Sequence, residues 1–183
     1  DNPAAPCCGG GYIFGSPCSL ADGLFTVDNK TDTITLQPNF NTYNAADGFW
    51  SDGNGNGNKI MRANLYQESS DLDRALSSFS NVVTFSGVVV SNTLDAAYTA
   101  EAFFRVWNSS DGREVRADSV PLPAAGQFFS VSTDTASIAG LVTYVPGFQV
   151  TGLNANPANE TTLGSVVVTG NLDWCTVNAS IVA

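Results

Sequence analysis

The sequence predicts an all-β fold, a sandwich or a barrel, on three observations. About nine short segments are rich in β-branched and aromatic residues, which favour strands. Turn residues separate most of these segments at intervals of about 8–12 residues, the spacing typical of sandwiches and barrels. No long segment has the helical period, and 17 glycines and 8 prolines are available for turns.

The predicted strands follow one another with short connections. They are Leu24–Val27, Thr33–Gln37, Lys59–Glu68, Asn81–Ser91, Thr99–Asn108, Arg113–Ala117, Gln127–Thr133, Leu141–Gly152 and Leu163–Val177. Only Asp71–Ser78 has the pattern of a short helix. The sequence shows no internal repeat and no second boundary. We therefore expect residues 25–183 to form one sandwich domain, preceded by a glycine-rich segment at residues 1–24.

The cysteines predict disulfide bonds that tie the N-terminal segment down. Cys7, Cys8 and Cys18 lie near the start, and Cys175 lies near the end. A vicinal Cys7–Cys8 bond would be strained, so we expect one of these two to pair with Cys18 and the other with Cys175. A metal site is the disfavoured alternative, because the chain has no histidine and no C-x-x-C pair. Disulfides place the protein outside the reducing cytosol, secreted or at a cell or virion surface.

The charge and the apolar runs of the chain argue against nucleic acid and against membrane insertion. Its net charge is −10, with only 7 Lys and Arg residues. Nucleic acid is therefore not an expected partner, since a phosphate backbone must be met by clustered cations. No run approaches the roughly 18 apolar residues of a membrane-spanning helix, so we expect no membrane insertion.

Two of the predicted strands carry polar and aromatic residues together on one face. Lys59–Glu68 and Glu101–Trp107 both alternate, so one row of side chains would enter a core and the other would face outward. The outward rows are Arg62, Asn64, Tyr66 and Glu68, and Phe103, Arg105 and Trp107. Trp50 lies in a loop that would flank this face. The mixture suits a ligand with flat faces and hydroxyl groups, such as a sugar. The alternative is an ordinary solvated sheet face.

The segment Asp52–Asn58 reads D-G-N-G-N-G-N, which matches the opening of a calcium loop. We expect Ca²⁺ ligands from the side chains of Asp52, Asn54 and Asn56 and from the carbonyl of Asn58. The usual bidentate Glu at position twelve is replaced by Ala63, so a distant carboxylate would have to complete the site. The alternative is a Gly/Asn turn that binds no metal.

The sequence does not predict an enzyme. Without histidine, a Ser-His-Asp or Cys-His site is excluded. Paired carboxylates remain as a route to glycoside hydrolysis, but in so acidic a chain solvated carboxylates are the expected state.

Four segments together resemble the galactose-binding-type jelly rolls, in particular the carbohydrate-binding modules of the family 4/9/16 kind. They are GNKIMRANLYQ at Gly57–Gln67, VTFSG at Val83–Gly87, TAEAFFRV at Thr99–Val106 and GSVVV at Gly164–Val168. The resemblance covers roughly residues 57–170 and implies a two-sheet jelly roll, often with structural calcium. It also implies a glycan-binding cleft, and Tyr66, Arg105 and Trp107 lie where the strands of such a cleft run.

We therefore expect a non-catalytic β-sandwich that binds a polysaccharide or another glycan. Trp107 and Tyr66 would stack on sugar rings, and the neighbouring polar side chains would bond the hydroxyls. The alternative is a structural subunit of an extracellular filament, sheath or virus shell that self-assembles through its termini or an edge strand. Four sequons allow N-glycosylation, at Asn29, Asn108, Asn159 and Asn178.

Overall fold

A computed structural model describes residues 15–18, 20, 25–67, 74–75, 82–136, 138, 141–170 and 177–182. Within them, twelve strands form two antiparallel sheets. The strands are β1 (Gly15–Cys18), β2 (Thr26–Asp28), β3 (Thr33–Leu36), β4 (Ile60–Gln67), β5 (Arg74–Ala75), β6 (Val82–Asn92), β7 (Thr99–Asn108), β8 (Glu114–Pro121), β9 (Phe128–Asp134), β10 (Leu141–Leu153), β11 (Val166–Thr169) and β12 (Val177–Val182). A 3₁₀ turn, Pro157–Asn159, leads into one short helix, α1 (Glu160–Leu163).

The strand order shows a jelly roll. The seven-stranded sheet has the order β1-β12-β4-β10-β7-β8, with β5 added on β10, and the five-stranded sheet has the order β2-β3-β11-β6-β9. Four antiparallel pairs nest inside one another along the chain: β3 with β11, β4 with β10, β6 with β9, and β7 with β8. Successive pairs alternate between the two sheets, which is the double-sheet jelly-roll arrangement. The predicted fold class is confirmed.

The core lies between the two sheets and is built by alternation along each strand. On β7, for example, Ala102, Phe104 and Val106 are buried in the main cluster. Phe148 of β10 is fully buried, and its ring centroid lies 5.2 Å from that of Phe85 and 5.6 Å from that of Phe129. These apolar contacts join the two sheets.

The predicted helix at Asp71–Ser78 is wrong where the structure describes it. Residues 74 and 75 form β5, which pairs with the start of β10, and the other residues of the segment lie outside the described residues. Pairing with a distant strand overrides a weak local preference for helix. The predicted strand Leu163–Val177 also begins too early, because Leu163 ends α1 and the strand starts at Val166.

Part of the predicted N-terminal segment belongs to the seven-stranded sheet. β1 pairs with β12, and β12 in turn pairs with β4. Cys7, Cys8 and Cys175 lie outside the described residues, as does the side chain of Cys18, so the disulfide prediction falls outside them too. In the described part of the chain, no helix has the length and hydrophobicity required to cross a membrane.

One edge of the sandwich is closed by a carboxylate that links the two sheets. Asp118 of β8 accepts hydrogen bonds from the Nε and Nη2 of Arg116, at 2.8 and 3.1 Å. It also accepts from the Oγ1 of Thr133 on β9, at 3.0 Å. The guanidinium of Arg116 and the Thr133 hydroxyl lower the pKa of Asp118 below its ordinary value of 3.8.

We expect Asp118→Asn to lower the free energy of unfolding by about 1 kcal/mol near neutral pH. Because the native pKa of Asp118 is depressed, its contribution is full above the unfolded pKa and is lost as the pH falls through the native pKa. Urea unfolding of both proteins at about pH 7 and about pH 3 measures this difference. Equal differences at the two pH values would contradict the ionic role of Asp118.

Candidate functional site

The outer face of the seven-stranded sheet brings the two predicted rows together. β10 lies between β4 and β7, so Gly147 is opposite both Tyr66 and Phe103, and Gln149 is opposite both Asn64 and Glu101. The predicted residues on this face are Arg62, Asn64, Tyr66, Phe103, Arg105 and Trp107. They alternate with core residues of β4 and β7, as the sequence pattern predicted. Asn64 is only 2% exposed, so little of its side chain is accessible to a ligand. Glu68 lies outside the described residues.

A stack of the Arg105 guanidinium on the Phe103 ring lies at the centre of this face. A Cβ atom at Gly147 would lie 2.7 Å from the Cζ of Phe103 and 2.4 Å from the carbonyl oxygen of Leu65. Because Gly147 has no side chain, the Phe103 ring can approach the backbone of β10 closely. The guanidinium of Arg105 lies over the ring, with its Cζ 4.3 Å from the ring centroid. Phe103 is consequently only 4% exposed, and a ligand would meet Arg105 above it.

Two polar neighbours, Gln149 and Glu114, fix the guanidinium of Arg105 in this position. Its Nη2 donates to the Oε1 of Gln149 at 3.2 Å, and its Nε lies 3.8 Å from the Oε2 of Glu114. The side chain keeps 27% of its surface exposed. Burial lowers the pKa of Arg105, Glu114 raises it, and the nearby Arg62 lowers it again. The result is a fixed, flat, cationic surface at the centre of the face.

A depression of about 250 Å³ adjoins this stack. It is lined by Arg62, Glu101, Phe103, Arg105, Ala117, Asp118, Ser119 and Gln149. Within the described part of the chain, the side chains of Arg62 and Glu101 form no hydrogen bond and no ion pair. The depression thus presents a donor and an acceptor that are available to a ligand.

Sequence reasoning missed Glu101 and Gln149 as site residues. Gln149 lies on the middle strand of the site, and its sequence signal is the alternation of Val145, Gly147, Gln149 and Thr151 against buried residues of β10. Glu101 belongs to the same alternating row as Phe103, and the sequence alone does not show that no described residue bonds its carboxylate.

Of the other three predicted aromatic residues, two lie on the outer face and one lies in a loop. Tyr66 and Trp107 are half-buried on the outer face, and Trp107 lies opposite Thr143 of β10. Trp50 lies instead in the loop before β4, where its ring packs edge-on against Phe49 at 4.8 Å. The carbonyl of Trp50 accepts a hydrogen bond from the Nδ2 of Asn154, at 2.8 Å.

The predicted calcium loop is closed by its own hydrogen bonds. The Oδ1 of Asp52 accepts from the backbone nitrogens of Asn54 and Asn56, at 2.7 and 3.0 Å, and its Oδ2 accepts from the Nδ2 of Asn56 at 2.9 Å. These bonds lower the pKa of Asp52. Gly53 and Gly55 have φ angles of 77° and 95°, which allow the tight turn.

Asn58 supplies the fourth predicted calcium ligand through its carbonyl, and its side chain is hydrogen-bonded to nearby residues of the loop. Its Nδ2 donates to the carbonyls of Gly48 and Ser51, and its Oδ1 accepts from the Nζ of Lys59 at 3.2 Å. Lys59 is fully buried, and its ammonium lies 4.6 Å from the ring centroid of Phe49. The described residues contain no group of three or more acidic, Cys or His side chains that could hold a metal ion. The side-chain bonds of Asn58 leave its predicted ligand, the carbonyl, untested, and calcium binding at this loop stays a prediction.

The sequons differ in how accessible they are. Asn29 and Asn159 are exposed in turns. The Oδ1 of Asn108 accepts from the nitrogen and the Oγ of Ser110, the hydroxyl residue of its own sequon, at 2.9 and 2.6 Å. Asn178 lies in β12, and its side chain is outside the described residues.

Comparison with known proteins identifies no family for this chain. No protein-family model matches the chain, and no curated protein matches it in sequence.

Proposed function

We propose that this protein is a secreted or surface-displayed, non-catalytic β-sandwich that binds carbohydrate on the outer face of its seven-stranded sheet. The observation that supports this most is the depression beside the Arg105–Phe103 stack, in whose lining the side chains of Arg62 and Glu101 have no partner among the described residues. Tyr66 and Trp107 lie half-exposed on the same face. Sugar recognition requires this combination of aromatic planes with hydrogen-bond donors and acceptors.

Each group has a distinct role in the proposed complex. Arg62 and Arg105 donate to sugar oxygens, and the carboxylate of Glu101 accepts from hydroxyl groups. Trp107 and Tyr66 stack on the C–H faces of sugar rings. Phe103 acts beneath the surface, because its ring holds the guanidinium of Arg105 flat.

The proposal includes no catalytic step. The chain contains no histidine, and the two carboxylates that line the depression are not equivalent. Asp118 is engaged by Arg116 and Thr133, which stabilise its ionised form and oppose a role as a proton donor. Glu101 alone would remain, whereas glycoside hydrolysis normally uses a pair of carboxyl groups.

Affinity electrophoresis through gels that contain different polysaccharides tests this function, with Trp107→Ala as the decisive variant. We expect at least one polysaccharide to retard the wild-type protein, and Trp107→Ala to weaken that retention at least about tenfold. Phe128→Ala is the matched control, because Phe128 is exposed on the opposite sheet. A parallel series with EDTA tests the calcium prediction.

Two results would contradict the proposal. One is that no polysaccharide retards the wild-type protein. The other is that Trp107→Ala and Phe128→Ala migrate alike in a gel that retards the wild type.

The second candidate function is that of a subunit in an extracellular assembly, and β12 favours it. This strand lies outside the nested eight-strand jelly roll, between β1 and β4, and pairs with β4 over six residues, Val177–Val182 against Gln67–Arg62. A strand in this position is an element that two copies of a chain exchange in a domain swap. Size-exclusion chromatography with electron microscopy of the void fraction distinguishes the two: ordered polymers support the assembly, and a monomer opposes it.

A further inference from the structure

A second concave site lies at one end of the sandwich, away from the outer face. This end pocket has a volume of about 180 Å³ and lies between the loop before β4, the β6–β7 loop and the β10–β11 loop. Ala97, Tyr98 and Leu153 supply apolar surface, and the side-chain amides of Asn56, Asn156 and Asn159 supply polar groups. None of the described residues lines both the end pocket and the outer-face depression.

The walls of the end pocket are fixed by hydrogen bonds between the loops. The hydroxyl of Tyr98 donates to the carbonyl of Leu153 at 2.9 Å. The buried Asn154 donates through its Nδ2 to Trp50 and accepts from the backbone nitrogen of Lys59, at 2.8 and 3.0 Å. The Nδ2 of Asn156 donates to the carbonyl of Gly55 at 3.3 Å. A ligand therefore meets a site that is already formed, which reduces the entropic cost of binding.

The Tyr98 ring is placed by a glycine. A Cβ atom at Gly152 would lie 2.2 Å from the Cδ1 of Tyr98, so the ring packs directly on the backbone of β10. The exposed Leu153 follows Gly152, and Ala97 lies in the turn beside Tyr98. Together they form a small apolar surface inside the pocket.

Some polar atoms of the end pocket are left for a ligand. Within the described part of the chain, the side-chain amide of Asn159 and the Oδ1 of Asn56 form no hydrogen bond. An amide offers both donors and an acceptor, as a hydroxyl group does. A purely apolar ligand would cover these groups without replacing their bonds to water, which costs binding energy.

The charge and the size of the end pocket restrict its ligand further. Among the described residues that line it, none is Asp, Glu, Lys or Arg, so an ionic ligand would lose its hydration without gaining a counter-charge from them. Its volume is below the roughly 300–1,000 Å³ of sites for drug-sized ligands. We infer that the end pocket binds one uncharged hydroxylated ring, such as a single monosaccharide unit. This inference does not depend on the proposed function of the outer face.

Titration of ¹⁵N-labelled protein with single-ring probes tests the inference by NMR. The probes are glucose, galactose, mannose and N-acetylglucosamine, with glucuronate as the charged ring and cyclohexanol as the apolar ring. We expect at least one neutral sugar to shift the Asn159 side-chain amide and the Tyr98 backbone amide to saturation. Glucuronate and cyclohexanol should bind at least about tenfold more weakly.

Three variants locate the binding. Ala97→Phe introduces a ring at an exposed position that lines the pocket, and it should abolish the saturable shifts while leaving the unfolding midpoint unchanged. Asn159→Ala should weaken binding about 2- to 10-fold. Asn29→Ala is the matched control, because Asn29 is also an exposed asparagine that begins a sequon but lies outside the pocket. All proteins are produced in a host that does not N-glycosylate.

The inference is overturned if no neutral sugar shifts the two signals, if cyclohexanol or glucuronate binds as well, or if Ala97→Phe binds like the wild type. Trp107→Ala should leave these shifts unchanged, and Ala97→Phe should leave polysaccharide retention unchanged. The failure of one site is therefore distinguishable from the failure of the other.

Discussion

Replacing Phe148 with alanine is expected to lower the free energy of unfolding by about 3–5 kcal/mol. Phe148 is fully buried at the junction of the two sheets, in contact with Phe85 and Phe129. The substitution removes apolar contacts and leaves a cavity that neighbouring strands cannot fill without moving. Urea or thermal unfolding, followed by circular dichroism, measures the effect.

Phe128→Ala is the matched control for this prediction. Phe128 is 64% exposed on β9, so its loss should change the free energy of unfolding by less than about 0.5 kcal/mol. If Phe148→Ala does not fold, Phe148→Leu should still fold with a loss of about 1–2 kcal/mol. Similar stability of the Phe148 and Phe128 alanine variants would contradict the described core.

Replacing Arg105 with alanine is expected to weaken polysaccharide binding at least about tenfold. The substitution removes two kinds of contact at once: the donors of the guanidinium and the flat cationic cover over Phe103. The loss of the cation–π contact should also cost about 1 kcal/mol of stability. Affinity electrophoresis and urea unfolding of the same variant measure the two effects separately.

Arg105→Lys separates charge from shape. A lysine keeps the positive charge but cannot form the planar, multiply bonded contact with Phe103, Gln149 and Glu114. We expect binding by the lysine variant to stay close to that of the alanine variant. Wild-type binding by Arg105→Lys would contradict the role of the guanidinium plane.

The two faces of β4 and β7 could be predicted from sequence because strand alternation is a local property. Arg62, Asn64 and Tyr66 face outward for the same reason that Ala63 and Leu65 face the core. The all-β class, a sandwich or a barrel, also followed from the spacing of strands and turns. The jelly roll itself was implied only by the resemblance to carbohydrate-binding modules.

The centre of the candidate site could not be predicted, because it depends on pairing between distant strands. Nothing in the sequence near Phe103 shows that Gly147 lies opposite it and gives its ring room. The burial of Phe103 under Arg105 follows from that placement. Non-local pairing likewise turned residues 74 and 75 into a strand.

In the loop before β4, composition predicted the turn but not its hydrogen bonds. Its composition indicates a tight turn rich in oxygen atoms, and the turn is present with positive φ angles at Gly53 and Gly55. Composition alone does not show that the oxygens of Asp52 accept from the loop's own N–H groups. Nor does it show that the amides of Asn154 and Asn156 reach this loop from the β10–β11 connection to form the end pocket.

The most direct test of carbohydrate binding on the outer face is an NMR map of the protein with an oligosaccharide cut from a polysaccharide that retards it. We expect shifts at the Trp107 indole, the Gln149 side-chain amide and the Arg62 guanidinium, and none at Thr84, Val88 or Phe128 on the opposite sheet. Shifts confined to the five-stranded sheet, or no shift on either face, would contradict the proposed function.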